Sequence, residues 1–317
     1  MNLVFFGSGA FGLPTLQSLA QTHRVLAVVT QPDKPAGRGS SLTPTPIGAW
    51  AAANLPQTLL LKPEKVNTPE LVEQIRGTGA DAWVVIAFGQ KLSQRLLDGM
   101  FAINLHASLL PRWRGAAPIN AAVLAGDATT GNSVITLADK MDAGLVLGTS
   151  TRPIEPTVTA GELHDLLAAD GPALVQQVLE AHARGTTQAL TQNESAVTLA
   201  GKFSKADGYV DWASEAKVCR CRVHGLTPWP GVTVQFRGQP LKILRVMEVT
   251  AKSEGEPGTL SDAAAGLVRC GGGSLLKLLE VQPAGGKAMP WAAFASGRQP
   301  KNGEALTGGP TVQEKPA

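Results

Sequence analysis

The chain has 317 residues, a length that predicts two domains rather than one core. Hydrophobic residues make up 44% and charged residues 17%, which excludes a wholly disordered chain, a collagen-like chain and a coiled coil. The net charge is +3, and residues 205–317 hold 14 basic against 10 acidic side chains, so the back part permits an anionic partner.

The front half alternates short apolar runs with amphipathic stretches. The runs predict strands that are buried on both faces, at 3–6, 25–30, 83–87 and 102–105. Helical patterns lie between or after them, at 12–20, 46–53, 68–77, 91–98 and 160–184. This alternation predicts a doubly wound α/β domain with a mostly parallel sheet.

A polar, turn-rich stretch at 185–206 predicts a linker. After it come one helical pattern and several short alternating segments, at 213–224, 232–236, 241–246, 266–270 and 275–281. Glycine and proline separate the segments, so they predict a small, mostly antiparallel barrel. The polar tail, 299–317, is expected to fray.

The first strand is followed by Gly7-Ser-Gly9-Ala-Phe-Gly12, which has the spacing of a dinucleotide-binding turn. That fingerprint also needs an acidic residue at the end of the second strand, but the strand at 25–30 is followed by Gln31 and Pro32, and Asp33 lies beyond the expected position. A tight strand-to-helix turn explains the glycines, and we expect no NAD.

The segment 31–46 is rich in proline and glycine, and we expect a loop without regular structure. Lys34 and Arg38 are cations suited to phosphate contacts. Composition favours a functional loop and a solvated connection equally.

Asn104 and His106 stand at the end of a predicted buried strand, two residues apart and therefore on one face. A carboxamide and an imidazole together suit acyl-group chemistry, because one stabilises an oxyanion and the other moves a proton. Asp139 or Asp142 is placed to orient the imidazole, and spacing alone does not choose between them. No metal-ligand spacing lies nearby, so no metal is expected.

These residues belong to a longer pattern, Asn104-x-His106-x-Ser108-Leu-Leu-Pro111, followed after about thirty residues by Met-Asp142-x-Gly. The pattern resembles the 10-formyltetrahydrofolate-dependent formyltransferase family. The segments 31–39 and 110–118 resemble the branch that acts on methionyl-tRNA, and the resemblance covers nearly the whole chain.

The resemblance implies transfer of the formyl group of 10-formyltetrahydrofolate to the α-amine of methionyl initiator tRNA. It implies three groups of site residues: catalytic Asn104, His106 and Asp142; folate-binding Ser108, Leu109, Leu110 and Pro111; and tRNA-binding Lys34 and Arg38. It also implies a Rossmann-like catalytic domain at 1–190, a linker at 191–206, an OB-fold-like tRNA-binding barrel at 207–300 and a polar tail at 301–317.

The chain departs from the family pattern in three places. Ser8-Gly9 stands where relatives commonly read Thr-Pro, Ser40-Ser41 where they often have lysines, and Leu145 where they have an acidic residue. Two other enzymes would use the same site: a formyltransferase acting on a nucleotide-sugar amine and a deformylase. A third alternative, a non-catalytic nucleic-acid-binding protein that uses its barrel alone, leaves Asn104, His106 and Asp142 without a role.

Three cysteines are too few for a disulfide framework in a chain of this length, so we expect reduced thiols in the cytoplasm. No apolar run approaches the ~18 residues that span a bilayer, so no membrane partner is expected. We expect a monomer whose partners are initiator methionyl-tRNA and the formylfolate.

Overall fold

A computed structural model describes residues 1–36 and 41–308, and the chain divides into two compact units. The first unit comprises three segments, Met1–Arg114, Gly131–Arg152 and His164–Thr198. The second takes Gly115–Thr130, Pro153–Leu163 and the chain from Leu199 on. Gly115–Thr130 and Pro153–Leu163, which precede the expected linker in the sequence, therefore belong to the second unit. The predicted domain boundaries, with a linker at 191–206, stay a prediction.

The strands in chain order are β1 (Asn2–Gly7), β2 (Arg24–Val29), β3 (Lys34–Ala36), β4 (Ser41–Thr43), β5 (Leu59–Leu61), β6 (Ala82–Ile86), β7 (Ala102–His106), β8 (Arg114–Gly115), β9 (Thr129–Thr136), β10 (Val146–Pro153), β11 (Leu199–Ala200), β12 (Val232–Phe236), β13 (Gln239–Lys252), β14 (Leu260–Asp262), β15 (Leu267–Arg269), β16 (Ser274–Pro283), β17 (Met289–Pro290) and β18 (Leu306–Thr307). The helices are α1 (Leu13–Thr22), α2 (Pro46–Asn54), α3 (Pro69–Arg76), α4 (Gln94–Leu97), α5 (Pro118–Ala125), α6 (Ala160–Ala183), α7 (Ala216–Leu226) and α8 (Trp291–Arg298).

The first unit is built on a seven-stranded sheet in the order β10-β9-β7-β6-β1-β2-β5. The pairs from β7 to β5 are parallel, and β9 runs antiparallel to β7. Strands β1 and β6 are almost fully buried, and Phe6 and Trp83 pack in one apolar cluster with Val72 and Ile75 of α3. The predicted doubly wound, mostly parallel sheet is confirmed.

The second unit contains a seven-stranded sheet in the order β14-β15-β16-β13-β12-β18, with β17 added beside β16. Its pairs are antiparallel. The two ends of the sheet meet, because Thr259 bridges Ala305 and the Leu306 amide donates to the Gly258 carbonyl at 2.7 Å. The sheet thus curls around an apolar core, and the predicted small antiparallel barrel is confirmed.

Several elements differ from the sequence-based predictions. The segment 31–46 was expected to lack regular structure, but β3 and β4 pair within it. Residues 306–307, in the tail expected to fray, form β18 because Leu306 is buried, while residues 309–317 lie outside the described residues. The predicted helix at 91–98 is reduced to the single turn α4.

Helix α5 was missed, although it packs tightly on α7 within the second unit. The contact requires a glycine, because a Cβ at Gly225 would lie 2.6 Å from Leu124 Cγ. Helix α5 is apolar nearly all round, so it has no hydrophobic period for a sequence reading to detect. Among the described residues, no helix combines the length and apolar character needed to cross a bilayer.

A histidine without solvent exposure joins α7 to two other parts of the second unit. His224 Nδ1 donates to the Pro156 carbonyl at 3.1 Å, and Nε2 accepts from the Val246 amide at 3.1 Å. This arrangement requires the neutral imidazole, since Nε2 must keep a lone pair. Burial, together with the nearby Arg220 charge, lowers the pKa of His224 to about 4.

The pKa of His224 predicts acid sensitivity of folding. His224 gains a proton near pH 6.5 in the unfolded chain but only near pH 4 in the folded chain. The contribution of His224 to the free energy of unfolding is therefore full above pH 6.5 and falls as the pH drops from 6.5 to 4. We expect a loss of about 3 kcal/mol across that range, measured by urea unfolding at each pH.

The variant His224→Leu should be less stable at pH 7.5, because the Val246 amide loses its acceptor, and should lose most of this pH dependence. His164→Gln, at a partly exposed histidine, is the matched control and should retain it. An unchanged pH dependence in His224→Leu would contradict the assignment.

Candidate active site

Asn104 and His106 lie at the carboxyl end of β7. They face the same side because side chains alternate along a strand, and the pairing of His106 with Ser133 of β9 fixes the register. His106 is buried, with 6% exposure, and Asn104 is half-buried. Among the described residues, none forms a hydrogen bond with the Asn104 carboxamide, which leaves its NH₂ and its oxygen available to a ligand.

The two nitrogens of His106 face two different oxygen atoms. Nε2 lies 2.9 Å from the Trp113 carbonyl, which can only accept, so Nε2 carries a hydrogen. Nδ1 lies 3.6 Å from Asp142 Oδ2, a distance too long for a direct hydrogen bond but short enough for attraction between charges. The neutral imidazole therefore has its lone pair on Nδ1, and a proton gained there sits beside a carboxylate.

The structure distinguishes the two acids that the sequence left open. Asp142 approaches His106, whereas the exposed Asp139 lies three residues away along the turn, where its carbonyl accepts from Lys91 Nζ. Asp142 has a φ of +53°, in the left-handed region that aspartate tolerates better than most residues. Gly144 is required by close packing, since a Cβ there would lie 1.7 Å from the Thr136 carbonyl oxygen.

The segment 108–111 follows His106 directly. Ser108 is fully buried and donates to the Arg112 carbonyl at 2.6 Å, so its hydroxyl holds the loop. Leu110 is also buried and packs with Ile135 and Val146, while Leu109 and Pro111 are partly exposed. The structure thus brings all four predicted folate-binding residues next to Asn104 and His106, and their role toward folate stays a prediction.

Trp113 has a φ of +62°, which is unusual for a bulky residue and marks local backbone strain. Its amide donates to Thr198 Oγ1 at 2.9 Å, and the Arg114 amide donates to the Thr198 carbonyl at 2.9 Å. Thr198 lies in the segment that the sequence predicted as a linker. Thr198 therefore helps to hold the Trp113 carbonyl, which accepts a hydrogen bond from His106 Nε2.

A second residue of that segment, Gln192, was also missed by sequence reasoning. Its Nε2 donates to the Asp142 carbonyl at 2.7 Å and to the Gly144 carbonyl at 2.8 Å. Its Oε1 accepts from Nε of the buried Arg114 at 3.0 Å. Arg114 also binds Glu194 at 2.7 Å, and this hydrogen bond lowers the pKa of the Glu194 carboxyl.

The base of the long loop is tied down beside the first strand. Ser8 accepts from the Gln31 amide at 3.0 Å and donates to the Phe88 carbonyl at 3.1 Å. At the far end of the loop, the Thr45 hydroxyl shares a 2.6 Å hydrogen bond with that of buried Thr30. Ser8, one of the departures from the family pattern, thus ties the start of the loop to the segment after β6.

The tRNA-binding residues predicted on this loop are only partly described. Lys34 lies exposed on β3, which follows the carboxyl end of β2 and so starts at the same sheet edge as His106. Arg38 lies outside the described residues.

The glycine turn has a packing explanation. A Cβ at Gly7 would lie 2.9 Å from the Ile86 carbonyl oxygen, and one at Gly12 would lie 3.2 Å from the Ile86 side chain. Asp33, which follows the second strand, binds Lys62 at 2.7 Å. Within the described residues, no three histidine, cysteine or acidic side chains group as metal ligands.

Comparison with known families agrees with this geometry. Residues 1–179 match the family model described as formyl transferase, and residues 202–299 match that of the formyl transferase C-terminal domain. The chain is 40% identical over 309 residues to the methionyl-tRNA formyltransferase of Solibacter usitatus, covering 96% of this chain and 98% of that protein. It is 39% identical over 311 residues to that of Neisseria meningitidis, covering 96% and 100%.

Solved structures share the fold at low identity. An N-formyltransferase from Helicobacter canadensis, in complex with folinic acid and dTDP-3-aminofucose, superposes with a TM-score of 0.66 at 12% identity, over 87% of this chain and 98% of that one. HypX from Aquifex aeolicus, in complex with tetrahydrofolic acid, gives 0.58 at 15% identity, over 92% and 46%. At these identities the likeness establishes the fold alone, whereas the matched family models and the full-length relatives place the chain in the formyl transferase family, among the methionyl-tRNA formyltransferases.

Proposed function

We propose that this protein transfers the formyl group of 10-formyltetrahydrofolate to the α-amine of methionyl initiator tRNA, which yields formylmethionyl-tRNA for translation initiation. The observation that carries the proposal is the His106 imidazole beside Asp142 and Asn104, in a chain about 40% identical to methionyl-tRNA formyltransferases over nearly its full length. The geometry suits acyl transfer to an amine.

The attacking amine must be neutral. α-Amino groups have a pKa of about 8, so much of the amine is protonated at pH 7, but a useful fraction is already neutral and only modest assistance is needed. His106 Nδ1 takes the proton as the nitrogen attacks the formyl carbon, because Nε2 already donates to Trp113. Such proton transfer contributes about 10²- to 10⁴-fold.

Asp142 stabilises the imidazolium that forms. Its carboxylate lies 3.6 Å from Nδ1 and its side chain is largely buried, so water screens the attraction only weakly. The contact also favours proton transfer toward His106 over its return to the attacking nitrogen. Asp142 thus acts on the charged form that appears during the reaction.

Asn104 donates to the formyl oxygen as it becomes an oxyanion. Donors of this kind contribute about 3 kcal/mol to the transition state. When the intermediate collapses, the bond between the formyl carbon and N10 breaks, and the proton held by His106 passes to N10 of the departing tetrahydrofolate. The segment Ser108–Leu109–Leu110–Pro111 borders this point and holds the folate.

The tRNA binds through cations at the sheet edge and on the barrel. Lys34 and Arg38 on the long loop serve the acceptor end. Lys242 and Lys277 lie on the outer face of β13 and β16, because their strand partners alternate with the buried pairs Ile243–Val281 and Val246–Leu278. Lys242 and Lys277 both belong to the second unit.

Acceptor choice tests the proposal. Purified protein with 10-formyltetrahydrofolate should formylate methionyl initiator tRNA and leave a nucleotide-sugar amine unmodified, with release of formate far slower than transfer. Formylation of the sugar amine in preference to the tRNA would replace the proposed function by the sugar-modifying one. Formate release as the main reaction would make the protein a deformylase.

His106→Ala and Asp142→Ala should each lower kcat for formyl transfer at least about a hundredfold, because both act on charge that develops in the transition state. The measurement is initial rate at saturating tRNA and folate. Asp139→Ala, in the same turn, is the matched control and should stay near the wild-type rate. A wild-type kcat in His106→Ala or Asp142→Ala removes that residue from the mechanism.

Binding of tRNA should weaken as salt rises. Each phosphate contact contributes about 0.7–0.9 to the slope of log K against log salt, so Lys34→Ala or Lys242→Ala should flatten the slope by about that amount. Arg24→Ala is the control, since Arg24 is exposed at the opposite, amino-terminal edge of the sheet. A slope that falls equally in Arg24→Ala would mean that only net charge matters.

A further inference from the structure

The connection between α6 and β11 carries a buried glutamine in a mostly exposed segment. Gln192 is 7% exposed. Its amide NH₂ donates to the carbonyls of Asp142 and Gly144, and its oxygen accepts from Arg114 Nε. All three partners belong to the first unit.

The orientation of the Gln192 amide follows from its partners. A carbonyl can only accept and an arginine Nε–H can only donate, so the NH₂ group must face the turn and the oxygen must face Arg114. Flipping the amide would place oxygen against two carbonyl oxygens. Each polar group of this side chain therefore has a matched partner.

The turn that carries Asp142 needs such support. The φ of +53° at Asp142 is not a favourable backbone conformation for an L-residue, and it persists only when its surroundings hold it. Gln192 binds the carbonyls of Asp142 and Gly144, which fixes the peptide group directly after Asp142 and the end of the turn. The carboxylate already lies 3.6 Å from His106 Nδ1, so a small shift of the turn would weaken the contact.

We propose that Gln192 is a positioning residue for formyl transfer, which acts by holding the turn so that the Asp142 carboxylate stays against His106. The inference rests on the proposed function. Arg114 contributes by fixing the Gln192 oxygen, and Glu194 in turn binds the Arg114 guanidinium. The segment predicted as a linker is thereby part of the support of the site.

A double-substitution experiment separates positioning from general stability. If Gln192 acts through Asp142, then Gln192→Leu should lower kcat about 10- to 100-fold in the wild-type chain and by less than about threefold in an Asp142→Ala chain. In an Asn104→Ala chain the same substitution should still lower kcat by its full factor. The KM for 10-formyltetrahydrofolate should change by less than about threefold.

Two further variants complete the set. Gln192→Glu keeps the size of the side chain and an acceptor for Arg114 but places oxygen against the two carbonyls, so its kcat should also fall. If Gln192→Leu does not fold, the kcat of Gln192→Glu tests the positioning role in its place. Gln188→Leu makes the same change at an exposed glutamine in the same segment and should leave kcat unchanged.

The kinetic outcomes separate the positioning role of Gln192 from the proposed function. A wild-type kcat in a folded Gln192→Leu protein, or an equal loss with and without Asp142, overturns the positioning role and leaves the proposed function standing. Failure of the wild-type protein to formylate methionyl-tRNA, by contrast, overturns the proposed function itself.

Discussion

The site depends on the imidazole of His106, whose two nitrogens each face one oxygen atom. The Trp113 carbonyl accepts a hydrogen bond from Nε2 and so keeps the hydrogen on that nitrogen, and the Asp142 carboxylate lies beside Nδ1. One contact sets which nitrogen is basic, and the other stabilises the charge that arises when it is used. Neither oxygen lies on β7, so both must be brought to the strand end by other parts of the chain.

Both oxygens reach His106 from backbone in the left-handed region. Trp113 has a φ of +62° and Asp142 a φ of +53°, and such conformations persist at functional sites because the surroundings hold them. The segment before β11 contributes to both, through Thr198 at Trp113 and Gln192 at Asp142. A stretch with little regular structure of its own therefore sets the geometry of the centre.

The sequence predicts those parts of the molecule that rest on periodicity or on strand alternation. The parallel sheet follows from continuous apolar runs, and Asn104 and His106 share a face because they are two residues apart on a strand. Sequence spacing does not show whether Asp139 or Asp142 faces the imidazole, because the path of a turn depends on its tertiary contacts. Gln192 was missed because a polar side chain in a polar segment shows no sign of burial.

The most direct measurement is a crystal structure of the protein with a non-transferable analogue of 10-formyltetrahydrofolate. We expect the formyl oxygen about 3 Å from Asn104 Nδ2, with His106 Nδ1 turned toward the side from which the amine attacks. The segment 108–111 should border the folate ring system. A formyl group bound at another edge of the sheet, out of reach of Asn104 and His106, would contradict the assignment of this site.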